Sequence, residues 1–153
     1  MTAQQMSSVE VLSAPHSMEF PYTRSTGPMV GAFLTGLRDQ RVLGARDSTG
    51  RVVVPPPEYD AATAAVLPAD DLVEVASEGV VTSWSWNPKP RLGQPFDVPF
   101  AWALVQLDGA DTGLLHALDA PRGSIRTGMR VRIRWSAQTV GFITDIACFE
   151  PVT

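Results

Sequence analysis

The sequence predicts a mainly β protein, with one short helix and a ribbon-like hairpin ahead of a five-stranded barrel. Three observations carry that prediction. Thirteen prolines and twelve glycines in 153 residues interrupt the chain too often for a helical bundle. Helical spacing of apolar residues appears early, in "GPMVGAFLTGLRDQ" (residues 27–40). From residue 71 onward the texture changes to alternating, β-rich runs separated by turn residues.

Residues 1–27 are polar and broken by Pro15, Pro21 and Gly27, which predicts an irregular arm. Residues 28–70 then hold the helix and the ribbon. Pro28 suits a first helical turn, and Met29, Phe33, Leu34 and Leu37 form an apolar stripe. That stripe either packs on its own domain or docks on a partner subunit; we assign it to a partner interface. "RVLGARDSTGRVVVP" predicts a hairpin that turns around Ser48, Thr49 and Gly50. The wider stretch "GARDSTGRVVVPPPEYDAAT" (residues 44–63) has the layout of a zinc ribbon without its thiolates. The ligand positions are Arg46, Thr49, Asp60 and Thr63. Zinc in such a site takes four tetrahedral donors, typically thiolates; Arg cannot be one and Thr is a poor one, so no metal is expected. Val52, Val53, Val54, Tyr59 and Val66 are expected to hold the ribbon instead, helped by prolines that stiffen the unfolded loop.

Residues 71–153 supply the barrel. "LVEVASEGVVTSWSW" predicts one long first strand broken or bulged at Gly79. "VPFAWALVQLD", "TGLLHALD", "GMRVRIRWSA" and "TVGFITDIACFEP" follow, with a helical turn in "APRGSIRTG" between the third and fourth strands. Five strands in this order fit a closed barrel of the oligonucleotide/oligosaccharide-binding (OB) type. The expected core is Val73, Val75, Val80, Leu104, Leu107, Leu115, Val131, Ile133, Ile143 and Ile146. Arg130, Arg132 and Arg134 alternate with Val131, Ile133 and Trp135, giving one cationic and one apolar face.

Candidate chemistry is sparse. Cys148 is the single cysteine, so neither a disulfide framework nor a cysteine-based metal site fits within the chain, and a buried structural thiol is expected. Of the two histidines, His16 lies in the arm, and His116 shares its alternation with Leu114 and Leu118 and is expected to point inward. The pairs Asp70/Asp71 and Glu58/Asp60 are expected in solvated loops. In "SWSWNPKPRLGQPF", Trp84 and Trp86 share a strand face that runs into Lys89 and Arg91. Flat apolar rings beside cations offer what an adenine nucleotide needs, so these four residues are the candidate contacts for one. The same tryptophans also suit a barrel interior or a subunit interface. A formal charge of −4 and a pI near 5.0 count against a nucleic-acid partner. No run is long enough for a membrane span, and the first residues lack a signal-peptide pattern, so a cytoplasmic protein is expected.

Taken together, the 46/49/60/63 spacing, "GRVVVPP", "GVVTSWSW", "VPFAWALVQLD" and "TGMRVRIRW" resemble the acyl-CoA-associated OB-fold family, domain of unknown function 35. The resemblance implies an N-terminal helix, a rubredoxin-like ribbon and a C-terminal OB barrel; the missing cysteines remove the zinc. It also implies a non-catalytic accessory subunit beside a thiolase-fold, lipid-transfer-type partner. The complex would hold two copies of each chain and take acyl-CoA as substrate in a retro-aldolase or thiolase reaction on lipid or steroid side chains. A single-stranded nucleic-acid module, using the barrel's cations and aromatics, is the alternative. A small independent enzyme is a third reading, and the thin set of ionisable groups speaks against it.

Overall fold

The structure, a computed structural model, describes residues 13–23 and 25–152. Of the arm expected over residues 1–27, residues 13–23 carry no helix or strand; residues 1–12 and 24 lie outside the described residues.

Helix α1 (Pro28–Arg38) starts on proline, whose missing N–H costs nothing in a first turn. The next two N–H groups, of Met29 and Val30, donate to the Glu58 carboxylate at 3.3 and 2.9 Å. A carboxylate there also complements the positive end of the helix. Met29, Phe33 and Leu37 are buried within the chain itself, and Leu34 is half-buried. This corrects the assignment of the stripe to a partner: the helix spends its apolar face on its own domain, and only Leu34 retains exposed surface.

Strands β1 (Val42–Arg46) and β2 (Val52–Val53) form the expected hairpin, with Ala45 opposite Val53. The Asp47 carboxylate shapes its turn by accepting the Thr49 and Arg51 N–H groups, each at 2.9 Å. Strand β3 (Leu72–Val75) pairs with the other side of β1, making a three-stranded sheet. The run predicted as one bent strand is therefore two. Its first half completes the ribbon sheet and its second half, β4 (Glu78–Asn87), enters the barrel.

Gly79 is not the bulge. It sits in regular pairing between Leu107 and Val131, where a Cβ would lie 2.2 Å from the Gln106 carbonyl oxygen. Glycine is required there because backbones approach closely. The register shift falls between Val81 and Ser83.

Strands β5 (Phe100–Leu107), β6 (Gly113–Leu118), β7 (Arg130–Trp135) and β8 (Ile146–Pro151) complete a closed barrel in the order β4-β5-β6-β8-β7. Its β6–β8 contact is parallel and reduces to one register pair, Leu118 with Phe149. Every other pairing is antiparallel. A single 3₁₀ turn (Arg122–Ser124) fills the connection before β7. This is an OB-fold barrel.

Val75, Leu107, Val131, Ile133 and Ile146 are buried as expected, and Val73 and Val80 are half-buried. Leu104, Leu115 and Ile143 are exposed, which corrects the expected core. Along β5 the buried interior set is Ala101, Ala103, Val105 and Leu107. Leu104 and Leu107 are three residues apart and cannot share a face of a period-two strand. The alternation misled because β5 and β6 are apolar on both faces.

The ribbon sheet is fixed to the barrel by hydrogen bonds from its backbone to Asp111 and Thr112, just ahead of β6. Val52 N–H donates to the Asp111 carboxylate at 2.8 Å, and Asp111 N–H donates to the Val52 carbonyl at 2.8 Å. Val54 N–H donates to the Thr112 hydroxyl at 2.7 Å, and that hydroxyl donates to the Val54 carbonyl at 3.0 Å. Val52 and Val54 are buried as expected. Tyr59, 59% exposed, and Val66 are not; they pair only as an isolated bridge, and Met29, Ala45 and Leu67 fill the place expected of them.

Candidate functional site

Where β6 and β8 diverge beyond their single register pair, the outer barrel wall opens into a cleft of about 590 Å³. The loop after β4 supplies one wall with Gly93 to Phe96, and the loop between β7 and β8 supplies the other with Ser136, Ile143 and Thr144. Trp102, Leu115, His116 and Ile146 lie between them. Both loops are tied down. Gln94 accepts hydrogen bonds from the Asn87 side-chain amide at 2.8 Å and the Arg91 N–H at 2.9 Å. Opposite, Asp145 is buried and accepts the N–H groups of Val140, Gly141 and Phe142 at 2.9, 2.7 and 3.2 Å. Burial pushes the Asp145 carboxyl up, but these three donors outweigh it and hold the group below its usual range.

His116 is 8% exposed, and its Nδ1 is buried with no hydrogen-bond partner among the described residues. Its ring packs edge-on against Phe149, with centroids 6.3 Å apart. Burial drives the imidazole below its ordinary pKa, against the opposing backbone of Ile143 and Ala117, so it is neutral at pH 7. The inward face expected for His116 is thus correct, and the sequence missed only its unsatisfied nitrogen and its place at a cleft. No carboxylate, thiol or second histidine lines the cleft with it, and the Ser136 hydroxyl there donates to the Thr144 carbonyl at 2.6 Å. Cys148 is buried with Phe100 and Ala117, and burial pushes its thiol up to about 11. A thiol in that state is not a nucleophile at neutral pH.

A second, smaller cleft lies at the degenerate ribbon, lined in part by Arg46, Ser48, Asp60, Thr63 and Asp71. The two ribbon turns do converge there. Asp60, only 3% exposed, accepts the Ser48 N–H from the first turn at 2.6 Å. From the second turn it accepts the Ala62 and Thr63 N–H groups at 2.8 Å and the Thr63 hydroxyl at 3.0 Å. The Ser48 and Thr63 N–H groups, first among these donors, hold the carboxyl far below its usual range. This overturns the solvated-loop expectation for Glu58 and Asp60, since one caps α1 and the other joins the two turns. The donor set does not fit zinc. The four positions Arg46, Thr49, Asp60 and Thr63 offer one carboxylate, and both its oxygens already accept hydrogen bonds.

Neither cleft is lined by the four candidate acyl-CoA residues. Trp84 and Trp86 are half-buried opposite Ala103 and Ala101 and pack against the barrel core. Lys89 and Arg91 are exposed in the loop beyond them. The cation facing the Trp86 ring is Arg122, 6.0 Å from its centroid, which the sequence did not single out. The arginine row on β7 is matched by carboxylates: Arg130 with Asp108 and Glu78, Arg132 with Glu150, and Arg134 with Asp119 and Glu150. A phosphate backbone would have to displace these partners. No helix among the described residues is long and apolar enough to cross a membrane.

Comparison with known proteins agrees with the barrel. Residues 72–136 match the family model of the ChsH2 C-terminal OB-fold domain. No curated protein matches the chain. Among solved structures, a chain of the Ltp2-ChsH2(DUF35) aldolase is similar at 22% identity and a TM-score of 0.62, covering 85% of this chain and 100% of that one. A protein of unknown function from the DUF35 family of Sulfolobus solfataricus is 23% identical with a TM-score of 0.56, covering 71% of this chain and 78% of that one. Residues 72–136 of this chain are thus similar to the ChsH2 C-terminal OB-fold domain.

Proposed function

We propose that this chain is a non-catalytic accessory subunit of an acyl-CoA enzyme with a thiolase-fold, lipid-transfer-type partner. The complex is a retro-aldolase or thiolase that shortens lipid or steroid side chains, with two copies of each chain because thiolase-like enzymes dimerise. The observation that carries this reading is the match of residues 72–136 to the ChsH2 OB-fold model. The likeness to a chain of the Ltp2-ChsH2 aldolase supports it at the level of fold. The chemistry at hand agrees with it: no carboxylate or thiol joins His116 in its cleft, and Cys148 is protonated and buried. The partner carries the reaction; this chain stabilises and orients it.

With α1 turned inward, the apolar surface left for a partner lies on the barrel. Leu104 and Leu115 are paired neighbours with exposed side chains on its outer face, and Phe142 and Ile143 are exposed on the adjoining loop. Co-expression with a lipid-transfer-type thiolase-fold protein, followed by gel filtration, tests the proposal. A complex at micromolar concentration that weakens on Leu104→Asp supports it. Separate elution of the two chains contradicts it.

A further inference from the structure

We propose that His116 makes the β6–β8 seam of the barrel a proton-sensitive latch: protonating its ring parts the two strands while the rest of the fold stays closed. The inference concerns this chain alone and stands whether or not the partner reading holds.

Three features of the barrel meet at this point. His116 lies on the inner face of β6 with Leu114 and Leu118, opposite Ala103 of β5, and is 8% exposed. Its Nδ1 is buried with no hydrogen-bond partner among the described residues. Both nitrogens of an imidazolium carry a proton, so Nδ1–H would become a buried donor without an acceptor on a buried charge. The ring also stands edge-on to Phe149, whose pairing with Leu118 is the one register pair between β6 and β8. Every other pair of neighbouring barrel strands shares at least three register positions. The cost of an ionised ring therefore falls beside the weakest seam. Parting that seam gives the ring water and leaves the longer ladders intact.

Among the described residues no free charge offsets this cost. On β5, Trp102, Ala103 and Leu104 do not titrate. On β8, burial keeps the Cys148 thiol uncharged, up to about 11, and Glu150 is engaged by Arg132 and Arg134. Asp119, just after β6, is engaged by Arg134. Asp145, in the loop ahead of β8, accepts the N–H groups of Val140, Gly141 and Phe142. Burial holds the His116 ring below its ordinary pKa, and the backbone of Ile143 and Ala117 opposes it only in part. The closed seam is thus fully stable above the solvated histidine value of about 6.5 and loses stability as pH falls below it.

Cys148 reports the opening, because it packs with Ala117 across the seam and is the chain's single thiol. The full chain would be reacted with dithiodipyridine, which modifies thiols in mild acid, and each rate divided by that of glutathione at the same pH. Between about pH 7.5 and about pH 5.5 the relative rate is expected to rise at least about threefold. About tenfold is the most that one proton can supply over that range. The rise is expected to be absent in His116→Phe. It is also expected to depend only weakly on urea, because little surface is exposed. Should that variant not fold, ¹⁵N-histidine spectra of the wild type give a second readout, with the His116 ring titrating at a midpoint below about 6.5. A rise of less than about threefold, an equal rise in His116→Phe, or a ring midpoint at or above about 6.5 overturns the proposal. A urea dependence as steep as that of global unfolding overturns it as well, since the latch is local.

Discussion

The Asp60 carboxylate accepts the Ser48 N–H at 2.6 Å, joining two turns that lie twelve residues apart in sequence. With the Ala62 and Thr63 donors on its other oxygen, one side chain cross-links both turns. Asp60→Ala should therefore lower the thermal midpoint by several degrees, with Asp60→Asn falling in between because an amide keeps one acceptor. Chelators should leave the wild-type midpoint unchanged, unlike that of a metal-dependent ribbon. Thermal melts of the three proteins with and without a chelator decide this. A chelator-sensitive wild type would contradict it.

The same carboxylate sets a pH dependence. Its folded pKa lies below the unfolded value, so its contribution is present above the unfolded pKa of about 3.9 and is lost as pH falls further. Wild type and Asp60→Asn should thus differ in stability at pH 7, and the gap should begin to narrow at about pH 4 and be clearly smaller by about pH 2. Denaturant titrations at the two pH values measure it; a gap that persists or widens in acid would refute the assignment.

The barrel register predicts opposite outcomes for two leucines. Leu107→Ala, at an interior position, should cost on the order of 2–5 kcal/mol. Leu115→Ala, on the outer face, should change stability by no more than about 0.5 kcal/mol. Urea unfolding of both variants separates the observed register from one slipped by a residue.

Much of this architecture was legible because its signals are local. Pro28 and the stripe from Met29 to Leu37 mark α1, and the turn chemistry of Asp47 to Gly50 marks the hairpin. The alternation of Val131 and Ile133 with arginines marks β7. What the sequence hid depends on contacts between distant segments. Whether Phe33 and Leu37 face a partner or their own sheet is decided by the strands they meet, not by their spacing. Leu72–Val75 reads as barrel strand until β1 is seen beside it. Asp60 looks like any loop acid until Ser48, twelve residues earlier, is brought to it. Likewise the cleft at His116 exists because β6 and β8 part, a long-range property without a motif.

Cys148 should be nearly inert to a thiol reagent in the folded chain at pH 8, since burial keeps the sulfur protonated and covered. It should react fully once the protein is unfolded in denaturant. Rapid modification of the native protein would show that the β5–β6–β8 face opens in solution.

The central claim, that this chain assists a partner that carries the chemistry, is tested most directly by carbon–carbon cleavage assays on an acyl-CoA substrate. Turnover would be measured for the thiolase-fold partner alone, for this chain alone, and for the two together. The account predicts no turnover by this chain, weak turnover or poor solubility for the partner alone, and full activity at about one chain per partner. A partner equally soluble and equally active without this chain, or turnover by this chain by itself, would contradict it.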